Sequence, residues 1–341
     1  MFPQIVYNLQ QLLSTSLFGL NIMAPSPNSL DILDSQIKLE FKDAYYTKLN
    51  QFREESQTYW EFSIVPGMFK QSDPETDESL FNYLDENFGK IGTWDDIVSQ
   101  LNILNAEAEP NVQYKILYLF RHYAGYHNLA HLKYGNDAWN EYWSKINGDG
   151  EMTWGPDANL TTESVELAKL NSRLISKELR NNANGDSSLI APQKLYVSPL
   201  SRAVDTLFYT WNEILDLKLI QPRIQENWRE TMGVHTCDKR SSRSIIDERF
   251  TNKGFQIELS LTEEDELYQD DYRETVDEQA MRMNSALQQL FTECGRNELI
   301  IAITSHSGSI RTQLMVLGHR SFAVQTGGMI PVFVKAVRNE N

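Results

Sequence analysis

Three short apolar runs constrain the fold more than any other feature of this chain of 341 residues: residues 115–120, 194–198 and 299–304. Apart from the lysines that open the first two and Ser198 and Thr304 that close the last two, they are apolar without alternation and too short for an ordinary helix. That is the pattern of strands covered on both faces. Each run also stops abruptly: the first at Arg121 and His122, the second at Pro199 with Arg202 close behind, the third at Ser305 and His306.

Between the runs the apolar spacing becomes helical. Val165, Ala168, Leu170, Leu174, Ile175 and Leu179 follow Thr161 or Thr162 as N-cap, and the Asn-rich residues 181–185 stop the pattern. Ala280, Met283, Leu287, Leu290 and Phe291 predict a second helix. Strands alternating with helices predict an α/β fold: a three-layer sandwich with a mixed, mostly parallel sheet and helices on both faces. Ligands of such sheets sit beyond the carboxyl ends of the strands, where Arg121, His122, Arg202 and His306 fall.

Residues 1–60 read as an N-terminal extension, partly ordered and weakly helical, and residues 61–341 as the catalytic domain. Residues 5–24 are apolar in patches, but Asn8, Gln10, Gln11 and Asn21 interrupt them and no basic residue precedes them, which makes a poor signal peptide or membrane span. A formal net charge of −16 argues against nucleic-acid and anionic-membrane partners, whose recognition needs clustered positive charge. Cys237 and Cys294 are too few for a disulfide framework, so a reducing compartment is expected, the cytoplasm with the nucleus also open.

Two histidines and two arginines at one rim suit a phosphoryl group. Planar guanidinium donors match its oxygens, and an imidazole can bind it or attack phosphorus. Flanking guanidinium charge keeps such an imidazole neutral and nucleophilic. The partner expected on these grounds is a small phosphorylated substrate.

The motifs Arg121-His122 with Asn128, Ser198-Pro199-x-x-Arg202-Ala203-x-x-Thr206 and Ser305-His306-Ser307-Gly308 resemble the histidine phosphatase superfamily, also called phosphoglycerate-mutase-like. Residues 229–240, together with Gly125-Tyr126-His127-Asn128 and Tyr134-Gly135, are similar to a group of fungal phosphomutase-like proteins. The resemblance spans roughly residues 60–337. It implies a metal-independent, cofactor-free phosphomonoesterase in which His122 is phosphorylated, Arg121 and Arg202 bind phosphoryl oxygens, Asn128 lies near them, and His306 completes the pocket. Glu230 would protonate the leaving oxygen and then serve as base for water. Ser307 after His306, where an Asp marks the acid-phosphatase and phytase branch, points to the mutase-like branch. One departure is Tyr123, where the family has glycine after its catalytic histidine.

Other candidates carry a bland reading. His127 and His131, four apart, imitate metal ligands but lack a completing acid. His235, Cys237 and Asp238 also imitate a ligand cluster, although the resemblance makes them pocket wall. His319 reads as surface, and the acidic residues Glu263 to Glu266 with Asp270 and Asp271 as a solvated loop, one that would repel highly anionic substrates if it covers the site. Two rivals stand beside the hydrolase: a phosphomutase of the phosphoglycerate-mutase type, and an interaction module of the same fold that lost turnover through Tyr123. The oligomeric state is not legible.

Overall fold

A computed structural model describes residues 26–341; the apolar patches of residues 5–24 lie outside the described residues. The three runs form β2 (Val112–Arg121), β3 (Lys194–Val197) and β6 (Ile300–Ser305). Two-residue strands β4 (Arg223–Ile224) and β5 (Gln256–Ile257) extend one side, and β1 (Thr58–Ile64) and β7 (Met329–Glu340) the other. The seven strands run in the order β1-β7-β2-β6-β3-β4-β5. The five from β2 to β5 in that order are mutually parallel, while β7 is antiparallel to both β1 and β2. The sheet is therefore mixed and mostly parallel. All six residues of β6 are buried, as a strand covered on both faces requires.

Helices cover both faces. On one side lie α3 (Trp94–Glu107), α6 (Thr162–Leu179) and α7 (Ser201–Trp211); the indole of Trp94 donates to Glu178 at 2.8 Å and ties α3 to α6. On the other side α10 (Val276–Glu293) packs against α2 (Leu39–Glu55) and α11 (Ser307–Val316). Their starts are fixed locally: Thr161 caps α6, and Thr275 with Glu278 forms a capping box on α10. Ala168, Ile175 and Leu179 of α6, and Met283, Leu287 and Leu290 of α10, face the core at helical spacing. Shorter helices complete the chain: α1 (Ser29–Ser35), α4 (Tyr126–Tyr134), α5 (Asn136–Glu141), α8 (Leu217–Ile220) and α9 (Arg243–Phe250). No helix among the described residues is long and apolar enough to cross a membrane.

Candidate active site

Parallel pairing sets the rim. Arg121 is in register with Ser305, and Val197 with Thr304, so the ends of β2, β6 and β3 finish level. The chain stays hydrogen-bonded just past the strands: His122 N–H donates to the Ser305 carbonyl at 3.0 Å and Ser198 N–H to that of Thr304 at 3.1 Å. Helices α7 and α11 start at this rim, which places Arg202 in the first turn of α7 and His306 at the N-cap of α11. The N-cap residue of α7, Leu200, offers no side-chain cap. Asp157 supplies one from a distant loop, its Oδ1 accepting Ser201 N–H at 2.7 Å.

The imidazole of His122 is buried and oriented from both nitrogens. Nδ1 lies 2.6 Å from the Tyr123 carbonyl, which can only accept, so Nδ1 carries the proton. Nε2 accepts from Arg202 Nε at 3.3 Å, which requires its lone pair. Burial and the Arg202 and Arg121 charges push the His122 pKa well below the ordinary histidine value. The ring of His306 lies 4.9 Å from that of His122, centroid to centroid, and its Nε2 is 2.8 Å from Ser198 Oγ. Burial and Arg202 depress His306 too.

The guanidinium groups are held by carboxylates. Arg202 donates through Nη2 to Asp238 at 2.8 Å and through Nη1 to the Cys237 carbonyl at 2.7 Å. With Nε aimed at His122, three of the five donors of a guanidinium are committed and two remain. Asp238 also receives Arg273 at 3.0 Å. Arg121 donates through Nη1 to Asp31 at 2.6 Å and to the Val324 carbonyl at 2.7 Å. Asp31 comes from α1, in the stretch read as an extension.

Glu230 approaches the start of α11, where Oε2 accepts from Gly308 N–H at 3.2 Å and Oε1 from Thr231 N–H at 2.8 Å. A Cβ on Gly308 would come within 2.3 Å of Glu230 Oε1, so the close approach needs glycine. Asn128 spends Oδ1 on Gly125 N–H at 2.9 Å, at the start of α4, which leaves its amide nitrogen to the cleft it lines. The cleft, of about 550 Å³, brings together Arg121, Asn128, Arg202 and Glu230; His122 and His306 abut it through Arg202 and Ser307.

Sequence reasoning missed part of the wall. His127 and His131 line the cleft, and the His127 ring lies 5.4 Å from that of His122. The adjacency of His127 to Asn128 was the available signal. Asp31 and Arg273 gave none, because only the tertiary fold brings them in. Asp238 and Arg240 are buried: Arg240 is bound by Glu226 and by the carbonyls of residues 262 and 264. Asp265, inside the acidic run, is likewise turned inward onto Arg229 at 2.6 Å, while its neighbours Glu264 and Glu266 are exposed. His319 is buried rather than at the surface, its Nδ1 2.7 Å from the Arg320 carbonyl.

His235, Cys237 and Asp238 have ligand atoms within 4.8 Å of one another, so a cation could be drawn there. The chemistry of the set is against it. Asp238 already neutralises Arg202 and Arg273, and burial pushes the Cys237 thiol pKa well up, away from the thiolate a metal needs.

Tyr123 does not crowd the rim. Its backbone is outside the positive-φ region and its N–H donates to Thr206 Oγ1 at 3.0 Å. The ring, 1% exposed, packs with Leu160 and Ala168 and over Gly327, where a Cβ would meet it at 2.3 Å.

A family model described as "Histidine phosphatase superfamily (branch 1)" matches residues 143–323. A protein of Arthroderma benhamiae described as a probable phosphoglycerate mutase is 36% identical over 80% of this chain and 84% of its own length. Phosphomutase-like protein 3 of Candida albicans is 33% identical over 84% of this chain and 80% of its own. A probable phosphoglycerate mutase of Saccharomyces cerevisiae is 32% identical over 67% of this chain and 81% of its own.

Proposed function

The chain belongs to the histidine phosphatase superfamily, a family of phosphoester chemistry, and from that premise we propose that it hydrolyses small phosphomonoesters through a phosphohistidine at His122, without a metal. The observation that carries this reading is the state of His122: neutral, with Nδ1–H held by a carbonyl and the Nε2 lone pair turned to Arg202. In the first step Nε2 bonds to phosphorus and the bond to the ester oxygen breaks. Glu230 gives its proton to the leaving alcohol. In the second step Glu230 takes a proton from water, whose oxygen attacks phosphorus and releases inorganic phosphate as the N–P bond breaks. Arg121, Arg202 and His306 bind the equatorial oxygens, and Asn128 donates beside them.

The test is rapid quenching during turnover of an aryl phosphate. The expected product is an acid-labile, base-stable phosphoenzyme, absent in His122→Ala, which stays folded by circular dichroism and loses turnover. An acid-stable phosphoester on serine or threonine, or turnover abolished by a chelator, would overturn the reading.

A further inference from the structure

Helix α1 lies along the cleft and contributes Asp31 and Asp34, one helical turn apart, to its wall. Each carboxylate is committed to an arginine of the cleft. Asp31 Oδ2 closes the capping box with Asn28 N–H at 2.9 Å, while Oδ1 takes Arg121 at 2.6 Å, with both side chains only 7% exposed. Asp34 takes Arg311 twice, through Oδ1 at 3.0 Å and its own carbonyl at 2.9 Å.

The remaining positive charge is committed as well. Arg273 is bound to Asp238 and to the carbonyls of Thr231 and Gly233. Of the five carboxyl groups in the lining, Glu230 carries the proton it donates and Glu274 is paired with Arg282 outside the lining, so Asp31, Asp34 and Asp238 face four guanidiniums, with no lysine beside them. Burial and nearby arginine charge depress His127 and His235, so these imidazoles add no cation near neutral pH. A phosphoryl dianion engages Arg121 and Arg202. Arg121 and Arg202 hold carboxylates too, so once they bind the dianion the aspartates and the phosphoryl group together outweigh the four guanidiniums, and a second anion would meet Arg273 and Arg311 beside Asp238 and Asp34.

Resting on the phosphomonoesterase reading, we propose that Asp31 and Asp34 are specificity-determining residues that restrict the site to monophosphate esters whose alcohol part carries no second anionic group. Polyol and other neutral-alcohol monophosphates fit this description. Phosphoglycerate and the bisphosphate that a phosphoglycerate mutase must handle do not.

The experiment measures binding of glycerol 3-phosphate and 3-phosphoglycerate by calorimetry to the His122→Ala protein, in which turnover is stopped, with Asp31→Asn and Asp34→Asn added singly. Asparagine keeps the size and removes the charge. Asp34 is the safer of the two for folding, because its side chain is 42% exposed. The expected result is that glycerol 3-phosphate binds roughly tenfold tighter, and that each added substitution tightens both esters but the more highly charged 3-phosphoglycerate more, which narrows the gap. Equal affinity for the two esters, no binding of either, or a gap unmoved by both substitutions overturns the proposal. The expected gap and its narrowing, in a protein whose wild type fails to hydrolyse glycerol 3-phosphate, leave the selector standing and remove the hydrolase reading instead.

Discussion

A single peptide, between Tyr123 and Ala124, fixes the chemistry of the rim. The Tyr123 carbonyl holds the proton on Nδ1, and the Tyr123 ring, turned into the core, anchors that carbonyl. The position therefore has no need of glycine's conformational range, and Gly327 has given up the space instead. Tyr123→Gly should cost stability by about 3–5 kcal/mol, as deletion of a buried ring does, and should lower turnover by loosening the loop. Urea denaturation with a parallel rate assay measures both; a gain in turnover would favour the interaction-module rival. Glu230 is tested by its leaving group. Glu230→Gln keeps an acceptor oxygen for Gly308 N–H but cannot deliver a proton, so alkyl phosphates should slow by about 10²–10⁴ and aryl phosphates with good leaving groups far less. Equal losses on both would assign Glu230 to binding.

At the scale of elements, the parts of the site that announce themselves are those at the ends of runs. Arg121 ends, and His122, Ser198 and His306 follow, strands whose burial on both faces is written as apolar sequence, and the helix over residues 162–179 shows both its cap and its period. The strand over residues 329–340 went unread although its first half is as apolar as the others, because Pro331 and the alternating end from Lys335 blur the pattern. Strands of two residues, at 223–224 and 256–257, are too short to carry any period. Partners from distant loops are equally silent. Asp157, at φ 56°, receives Ser201 N–H and Oγ and also Ser241 N–H and Oγ, so one carboxylate joins the helix bearing Arg202 to the loop bearing Asp238. Asp31 reaches Arg121 across 90 residues of sequence. Such contacts are products of the fold and leave no local trace.

For the whole molecule, the histidines tie stability to pH. The chain has six, at 122, 127, 131, 235, 306 and 319, and burial lowers the pKa of every one in the fold, His235 to about 3 and His319 to about 4. In the unfolded chain they titrate near the ordinary value of about 6.5. Below that pH the unfolded state binds more protons than the folded one, so stability rises with pH through this region, levels off above it and falls on acidification. A fully depressed histidine contributes a slope approaching about 1.4 kcal/mol per pH unit well below 6.5. Asp205 and Glu258, whose pKa values burial raises, act in the opposite direction but mainly at lower pH, where carboxyl groups titrate. Between pH 7.5 and about 5.5 the histidines therefore dominate, and the urea midpoint should fall steadily across that range. The same depression keeps His122 neutral below 6.5, so the acid limb of the rate profile should follow the loss of folded protein rather than a titration near 6.5 in an intact fold. Parallel measurement of kcat/KM and circular dichroism from pH 7.5 downward separates the two. A rate that halves near 6.5 while the fold and its midpoint stay unchanged would mean that His122 titrates freely, and that burial beside Arg202 and Arg121 does not hold it neutral.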